Sequence, residues 1–398
     1  MSMLEMKPSR RAAGLPVSPI RRLAPLAEAA RARGTRVLHL NIGQPDLAPP
    51  ATITQALAEA GGEALVYAPS RGLPDVLDAW QAYYRRHGIE VEAGDILVTF
   101  GASEAISLAL LSTLDPGDDV LLPEPFYAPY KGSLAIAGCN LVPVPPGQGF
   151  APPSAEEFRR RLTPRTRAIL ITSPNNPTGT VFSRDELRAL GRLAHDEGLF
   201  LLSDETYREI VFDGAAAPSA LSLPGLEEQV VVIDSLSKRF NVCGLRIGSL
   251  VTRNAGVMAA ALELAELRLA VPVIDQRAAA AELRAGPEYV AGVVKTYRER
   301  VAAVVEALGA IPGVRVRPPG GAFYVVAGLP VADAEAFAAW LLSDFALDGE
   351  TVMLTPMADF YATPGQGRDE VRIACVYEPA RLRRGVEILA AGLAAYPG

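Results

Sequence analysis

Cysteine is scarce: Cys139, Cys243 and Cys375 stand far apart and form neither a CxxC pair nor a Cys/His metal spacing. No disulfide framework or metal site is expected, and a reduced, cytoplasmic protein fits best. Dense Lys/Arg blocks are missing too. Against 38 Lys and Arg stand 45 Asp and Glu, a net charge of −7. The electrostatic footprint for nucleic acid or an anionic membrane is therefore lacking, and small-molecule chemistry is the better default. No apolar stretch reaches the roughly 18 residues of a membrane span. The richest, Val257–Ala270, is broken by Glu263, Glu266 and Arg268 and reads as a long helix. Met1–Pro16 carries Lys7, Arg10 and Arg11 with no apolar run behind them, so it does not read as a secretory signal. Internal repeats and long low-complexity linkers are absent as well.

What is present is an alternation. From about Asp95 to Thr252, β-rich runs at Ile96–Phe100, Asp119–Leu122, Arg167–Thr172, Leu199–Ser203, Val230–Asp234 and Gly248–Val251 are separated by helical patterns. That order predicts an α/β layer with a largely parallel sheet, and runs apolar throughout predict strands covered on both faces. Ser183 with Glu186 forms a capping box opening a helix over Arg184–Glu197, and Gly198 is its stop. After about Ala278 longer helices, Pro287–Leu308 and Asp333–Phe345, alternate with strands near Val314–Arg317, Ala322–Val326 and Glu370–Ala374. A smaller α+β unit is expected there. Near the N-terminus, Ser18–Gly34 is helical in part, with Pro25 restarting or kinking it. At 398 residues, about twice the ~100–200 of a usual domain, the chain divides into three parts. These are an N-terminal segment 1–45 packing with the small domain, a large domain 46–278 and a small C-terminal domain 279–398.

The candidate chemistry clusters at the ends of the predicted strands. Ser235-Leu236-Ser237-Lys238 follows Val230–Ile233 and places an accessible lysine at a strand's polar end. Asp204 closes the strand Leu199–Ser203, which directs its carboxylate to the carboxyl edge of the sheet, where α/β proteins bind ligands. A carboxylate there can pair with a pyridinium nitrogen and keep the ring an electron sink; Tyr207 can reach that ring's phenolic oxygen. Ser173–Gly179, SPNNPTG, is too rich in turn formers to continue its strand, and two prolines hold its Asn amides in fixed directions. Gly101-Ala102-Ser103 opens a helix whose N-terminal amides suit a phosphate, with Ser235 and Arg246 adding a hydroxyl and a guanidinium. Tyr127, just past Asp119–Leu122, offers an aromatic face to a flat ring. Taken singly, each has a bland reading: a solvated strand-end Asp, a tight turn, a packed aromatic. Their joint order argues for one site.

Together these segments resemble the class I/II aminotransferases of pyridoxal 5′-phosphate (PLP) fold type I over nearly the whole chain. The resemblance rests on NIGQPDLAPP at Asn41–Pro50, YAPSRGLP at Tyr67–Pro74, GASEA at Gly101–Ala105, SPNNPTG, DETY at Asp204–Tyr207, SLSKRFNVCGLRIG at Ser235–Gly248, GGAFY at Gly320–Tyr324 and VRIA at Val371–Ala374. It implies a large domain with a mostly parallel central sheet and helices on both faces, plus a smaller α+β domain. It further implies Lys238 as Schiff-base lysine and proton shuttle, Asp204 on the pyridine nitrogen, Asn176 and Tyr207 on the ring oxygen, and Tyr127 stacked on the ring. Ala102, Ser103, Ser235 and Arg246 would hold the phosphate, with Tyr67 reaching it from the partner subunit of a homodimer. Arg372 would clamp the substrate α-carboxylate, helped by Gly43 and Asn176. Arg268 is the candidate for a distal carboxylate across the dimer interface. The implied reaction moves an α-amino group from an L-amino acid to a 2-oxo acid such as 2-oxoglutarate. ETVML at Glu350–Leu354 and FYATPG at Phe360–Gly365 look most like a bacterial aspartate-aminotransferase-like branch.

The sequence departs from that pattern at Leu77, where an Arg is often found, and at Cys243 and Leu245, where Thr and Trp are frequent. The same scaffold serves elimination, cyclisation or oxidation of an amino acid, or transamination of aromatic and other amino acids. A ligand-sensing regulator fused to a DNA-binding module is disfavoured, because only about 40 residues precede NIGQPD.

Overall fold

The computed structural model describes residues 6–60, 66–214 and 216–398. Positions 1–5 of the expected N-terminal segment, and 61–65 and 215 of the expected large domain, lie outside them. Seven strands form the main sheet in the order Ile96–Thr99, Gly248–Val251, Val230–Ser235, Phe200–Asp204, Thr166–Thr172, Asp119–Pro123, Asn140–Val144. All run parallel except Gly248–Val251, which is antiparallel to both neighbours.

The uninterrupted apolar runs are explained by burial on both faces. Ile96, Val98, Leu121, Ile169, Ile171, Leu201, Val230 and Val232 enter one hydrophobic core, and the alternate residues Leu97, Val120, Leu122, Ala168, Leu170, Leu202, Val231 and Ile233 enter another. Side chains on a strand point alternately to opposite faces, so a strand with a helical layer on each side has no face left for polar residues. The helix Ala102–Thr113 packs in the second of these cores, and Pro74–Arg86 and Arg184–Asp196 in the first.

A third core surrounds a four-stranded sheet in the order Thr355–Pro356, Glu370–Ala374, Tyr324–Gly328, Arg315–Val316. The 22-residue helix Glu288–Gly309 contributes its apolar face there. Leu23, Ala27, Leu38 and Leu40 of the N-terminal segment join the same core, and Arg36–His39 pairs in parallel with Glu350–Met353. The helix over Ala24–Ala32 begins with Pro25 in its first turn, where a missing N–H costs nothing.

The Ser183–Glu186 capping box closes reciprocally, and its helix ends at Asp196 before Gly198 at φ 64°. The helix expected over Val257–Ala270 is shorter and shifted, Ala255–Glu266, because the Asn254 side chain caps it. Four strands had no sequence signal: Arg36–His39, Asn140–Val144, Glu350–Met353 and Thr355–Pro356. All four lie at the edges of their sheets, and two of them tolerate Pro143 and Pro356 there. No helix among the described residues is long and apolar enough to cross a membrane, and no His/Cys/Asp/Glu group there can hold a metal ion.

Candidate active site

Five parallel strands deliver their carboxyl ends to one edge of the main sheet, and the functional side chains follow those ends. Thr99 leads to Ala102, Pro123 to Tyr127, Thr172 to Asn176, Asp204 ends its own strand, and Ser235 leads to Lys238. Gly248–Val251 runs the other way, so Arg246, two positions before it, arrives at the same edge. A cavity of about 500 Å³ opens there. It is lined by Gly43, Ala102, Ser103, Tyr127, Asn176, Asp204, Tyr207, Ser235, Lys238, Arg246 and Arg372. Tyr67 and Arg268 are not among its lining residues. Tyr67 is 81% exposed. Arg268 pairs with Glu104 at 3.0 Å and donates to the carbonyls of Val98, Ser70 and Leu269 at 2.8, 3.2 and 2.9 Å.

Lys238 sits on the short helix Leu236–Arg239. Its Nζ donates to the Gly43 carbonyl at 2.9 Å and lies 3.5 Å from Cys243 Sγ. The next residue fixes that helix from behind: Arg239, fully buried, pairs with Asp234 and, at 2.8 Å, with Glu209. Gly43 is required by a close approach, because a Cβ at this position would overlap the Tyr324 hydroxyl. Any side chain there would have to push Tyr324 aside.

Asp204 is buried, with Oδ2 accepting from Tyr130 Oη at 2.6 Å and Oδ1 from the Thr206 amide at 3.0 Å. Burial pushes its carboxyl up, while the two donors oppose the shift. No Lys, Arg or His among the described residues forms an ion pair with it. A buried carboxylate without a cation is costly, and the arrangement suits a protonated ring nitrogen entering the cavity.

Arg372 is its electrostatic opposite. Only 1% exposed, the guanidinium lies over the Tyr324 ring at 4.4 Å and the Phe360 ring at 5.3 Å. It donates to Asn176 Oδ1 at 2.8 Å and the Asn41 carbonyl at 2.7 Å. Its Nε is buried without a partner, and no carboxylate among the described residues pairs with it. Because a guanidinium only donates, the Asn176 atom facing it is the carbonyl oxygen, which leaves the amide NH₂ as the donor available to the cavity.

The residues expected to hold a phosphate, Ala102, Ser103, Ser235 and Arg246, are also brought together. Helix Ala102–Thr113 starts at Gly101, φ 75°, with no side chain capping its first amides. A Cβ on Gly101 would come 2.6 Å from Arg246 Nη2. Glycine therefore lets that guanidinium close over the helix start, where it is held by the carbonyls of Phe100 and Cys243 at 3.1 and 3.0 Å. Ser235 Oγ stands 3.0 Å from Ser237 Oγ. The positive helix end, a guanidinium and two hydroxyls fit a phosphate.

Two tyrosines escaped the sequence reading. Tyr324 Oη is 2.9 Å from Tyr207 Oη and so tunes the phenol expected to act on the ring. Tyr130 packs edge-on to Tyr127 at 5.4 Å while donating to Asp204. Both lie inside quoted or adjacent motifs, yet spacing alone does not say which of two neighbouring aromatics turns inward.

A family model described as aminotransferase class I and II matches residues 35–389. The chain is 31% identical over 365 residues to the aspartate/prephenate aminotransferase of Thermus thermophilus, covering 90% of this chain and 91% of that protein. It is 36% identical over 322 residues to an arginine–pyruvate transaminase of Pseudomonas aeruginosa, covering 78% of this chain and 80% of that one. Among solved structures, a double mutant of Thermus thermophilus aspartate aminotransferase superimposes with a TM-score of 0.89 at 29% identity, covering 98% of this chain and all of that one.

Proposed function

From the premise that the chain belongs to the class I and II aminotransferases, we propose that it is a PLP-dependent enzyme moving the α-amino group of aspartate to 2-oxoglutarate. Aminotransferase activity is supported by the family and its named members. The observation that carries the cofactor and amino-acid reading is the pair of buried ionic groups, Asp204 and Arg372, each without a counter-ion among the described residues, lining one cavity with Lys238.

The residues present fit the cofactor. Asp204 would pair with its ring nitrogen, Asn176 and Tyr207 with its ring oxygen, and Tyr127 with its face. Ala102, Ser103, Ser235 and Arg246 would hold its phosphate, and Lys238 Nζ is the nucleophile for its aldehyde. When bound, PLP supplies an electron sink for charge developing at the substrate Cα.

The chain's own residues do the rest. Arg372 takes the α-carboxylate in a bidentate grip, which fixes Cα and presents its hydrogen towards Lys238. Lys238 removes that proton and redelivers it. The Gly43 carbonyl accepts from Lys238 and so steers it between these positions.

A homodimer is part of the same proposal. Val66, Tyr67, Leu267 and Leu269 are 69%, 81%, 84% and 51% exposed. The Arg268 bond to the Ser70 carbonyl brings their two segments side by side. An apolar patch of this kind suits a self-complementary interface that would carry Tyr67 to the partner's phosphate site. We also assign 1–45, 46–278 and 279–398 to an N-terminal segment, a large and a small domain, and place the enzyme in the cytoplasm, in keeping with its three free cysteines.

The deciding assay supplies purified protein with PLP, aspartate and 2-oxoglutarate. Equal amounts of glutamate and oxaloacetate, with the cofactor regained, are expected. Ammonia released without an acceptor would assign a different carbanion reaction.

A further inference from the structure

Four cations line the cavity: Arg21, Lys238, Arg246 and Arg372. Three are held by the protein. Lys238 is bonded to Gly43, Arg246 to Phe100 and Cys243, and Arg372 to Asn41 and Asn176. The exposed guanidinium of Arg21 makes no hydrogen bond or ion pair among the described residues.

Its backbone is nonetheless fixed on both sides. Asn41 Nδ2 donates to the Ile20 carbonyl at 2.7 Å, and the carbonyl of the same Asn41 takes Arg372 Nη2 at 2.7 Å. On the other side Arg22 pairs with Glu335 at 2.8 Å and with Asp359. The amides of Arg21 and Arg22 both return to the Ser18 carbonyl, at 3.1 and 3.0 Å, and Leu23 is buried in the core. Asn41 thus joins the turn bearing Arg21 to the residue expected to clamp the α-carboxylate. A side chain left free on a backbone held this firmly is poised for a ligand instead of being one solvated cation on a loose tail.

The two guanidiniums also act on a common group. Burial pushes the Tyr127 hydroxyl up, and the positive charges of Arg372 and Arg21 both work against that shift. Across the whole lining the only carboxylate is Asp204, so an additional anionic group on the substrate meets no repulsion near Arg21.

We propose that Arg21 is a specificity-determining residue that pairs with the distal carboxylate of a dicarboxylic amino acid while Arg372 of the same chain holds the α-carboxylate. This rests on the aminotransferase reading of the cavity. It moves distal recognition away from Arg268, whose guanidinium is already engaged by Glu104 and three carbonyls.

The test compares PLP-loaded wild type, Arg21→Gln, Arg21→Lys and Arg268→Gln. Measured quantities are kcat/KM for aspartate and for alanine, and the Kd of unreactive succinate and butyrate by calorimetry. Arg21→Gln is expected to cut the aspartate-to-alanine ratio about 10- to 100-fold, the usual effect of losing a hydrogen-bonded charge partner, and to weaken succinate relative to butyrate by a similar factor. Arg21→Lys should keep most of both ratios. The side chain makes no internal bonds, so an unchanged melting temperature is expected for Arg21→Gln. An unchanged ratio with unchanged succinate affinity in Arg21→Gln overturns the proposal, as does a loss confined to Arg268→Gln. A wild-type enzyme that transaminates neither donor is a failure of the functional reading, visible before any variant is compared.

Discussion

The Tyr130 hydroxyl donates to Asp204 Oδ2 at 2.6 Å and also lies 2.7 Å from Thr172 Oγ1, so the acid expected to face the cofactor ring is held by the helix of a neighbouring strand–helix unit. Asp204 needs that donor because burial favours its neutral form. Tyr130→Phe should therefore lower turnover about 10- to 100-fold, the range for a hydrogen bond to a charged group, with the cofactor still bound. Asp204→Ala should cost about 100-fold or more, since it removes the whole preorganised charge. Steady-state kinetics on both variants decide this, and an Asp204→Ala rate near that of wild type removes the carboxylate from the mechanism.

Arg372 is tested by its geometry as well as its charge. Arg372→Lys keeps one positive charge but loses the planar fork that now reaches Asn176 and Asn41 at once. Both Arg372→Lys and Arg372→Ala should raise KM for every amino donor and lower kcat/KM about 100-fold, because α-carboxylate binding is common to all of them. A loss seen with aspartate alone would reassign Arg372 to side-chain recognition.

Behind the site, Glu209 makes stability depend on acidity. Burial alone would raise its carboxyl, yet the Arg239 guanidinium, with His87 and Arg208, holds it down at about 2. A carboxyl held below its ordinary 4.5 stabilises the fold fully above that value, and the contribution is lost as pH falls from about 4.5 towards about 2. Denaturant unfolding of Glu209→Gln should show lower stability than wild type at neutral pH and a shallower decline through that acid window. Parallel pH curves for the two proteins would show that the Arg239 pairing contributes nothing net.

Most of the main sheet was legible because its strands are buried on both faces, which turns a structural requirement into an unbroken apolar run. Asn140–Val144 was not, since an edge strand accepts Pro143 and needs less apolar cover. Segments 36–39 and 350–353 find each other across more than 300 residues, and nothing local in either marks a partner so distant. At the site, residues on loops after strands were readable through turn chemistry: Asn176, Lys238 and Asp204 all line the cavity. Arg21 was missed because its turn carries no composition signal and gains its place only through Asn41 and Arg22. Arg239 was missed for another reason. Its neighbour Lys238 drew the chemical reading, while the buried pairing with Asp234 and Glu209 depends on which way the short helix faces.

The central claim is that Lys238 holds the cofactor. With PLP added, the wild-type protein should show the visible absorbance band of a lysine-bound cofactor, and borohydride reduction should fix the label to the peptide containing Lys238. Lys238→Ala should bind PLP without that band and take no label. A normal band in Lys238→Ala, or a label on another lysine of the wild type, would contradict the assignment.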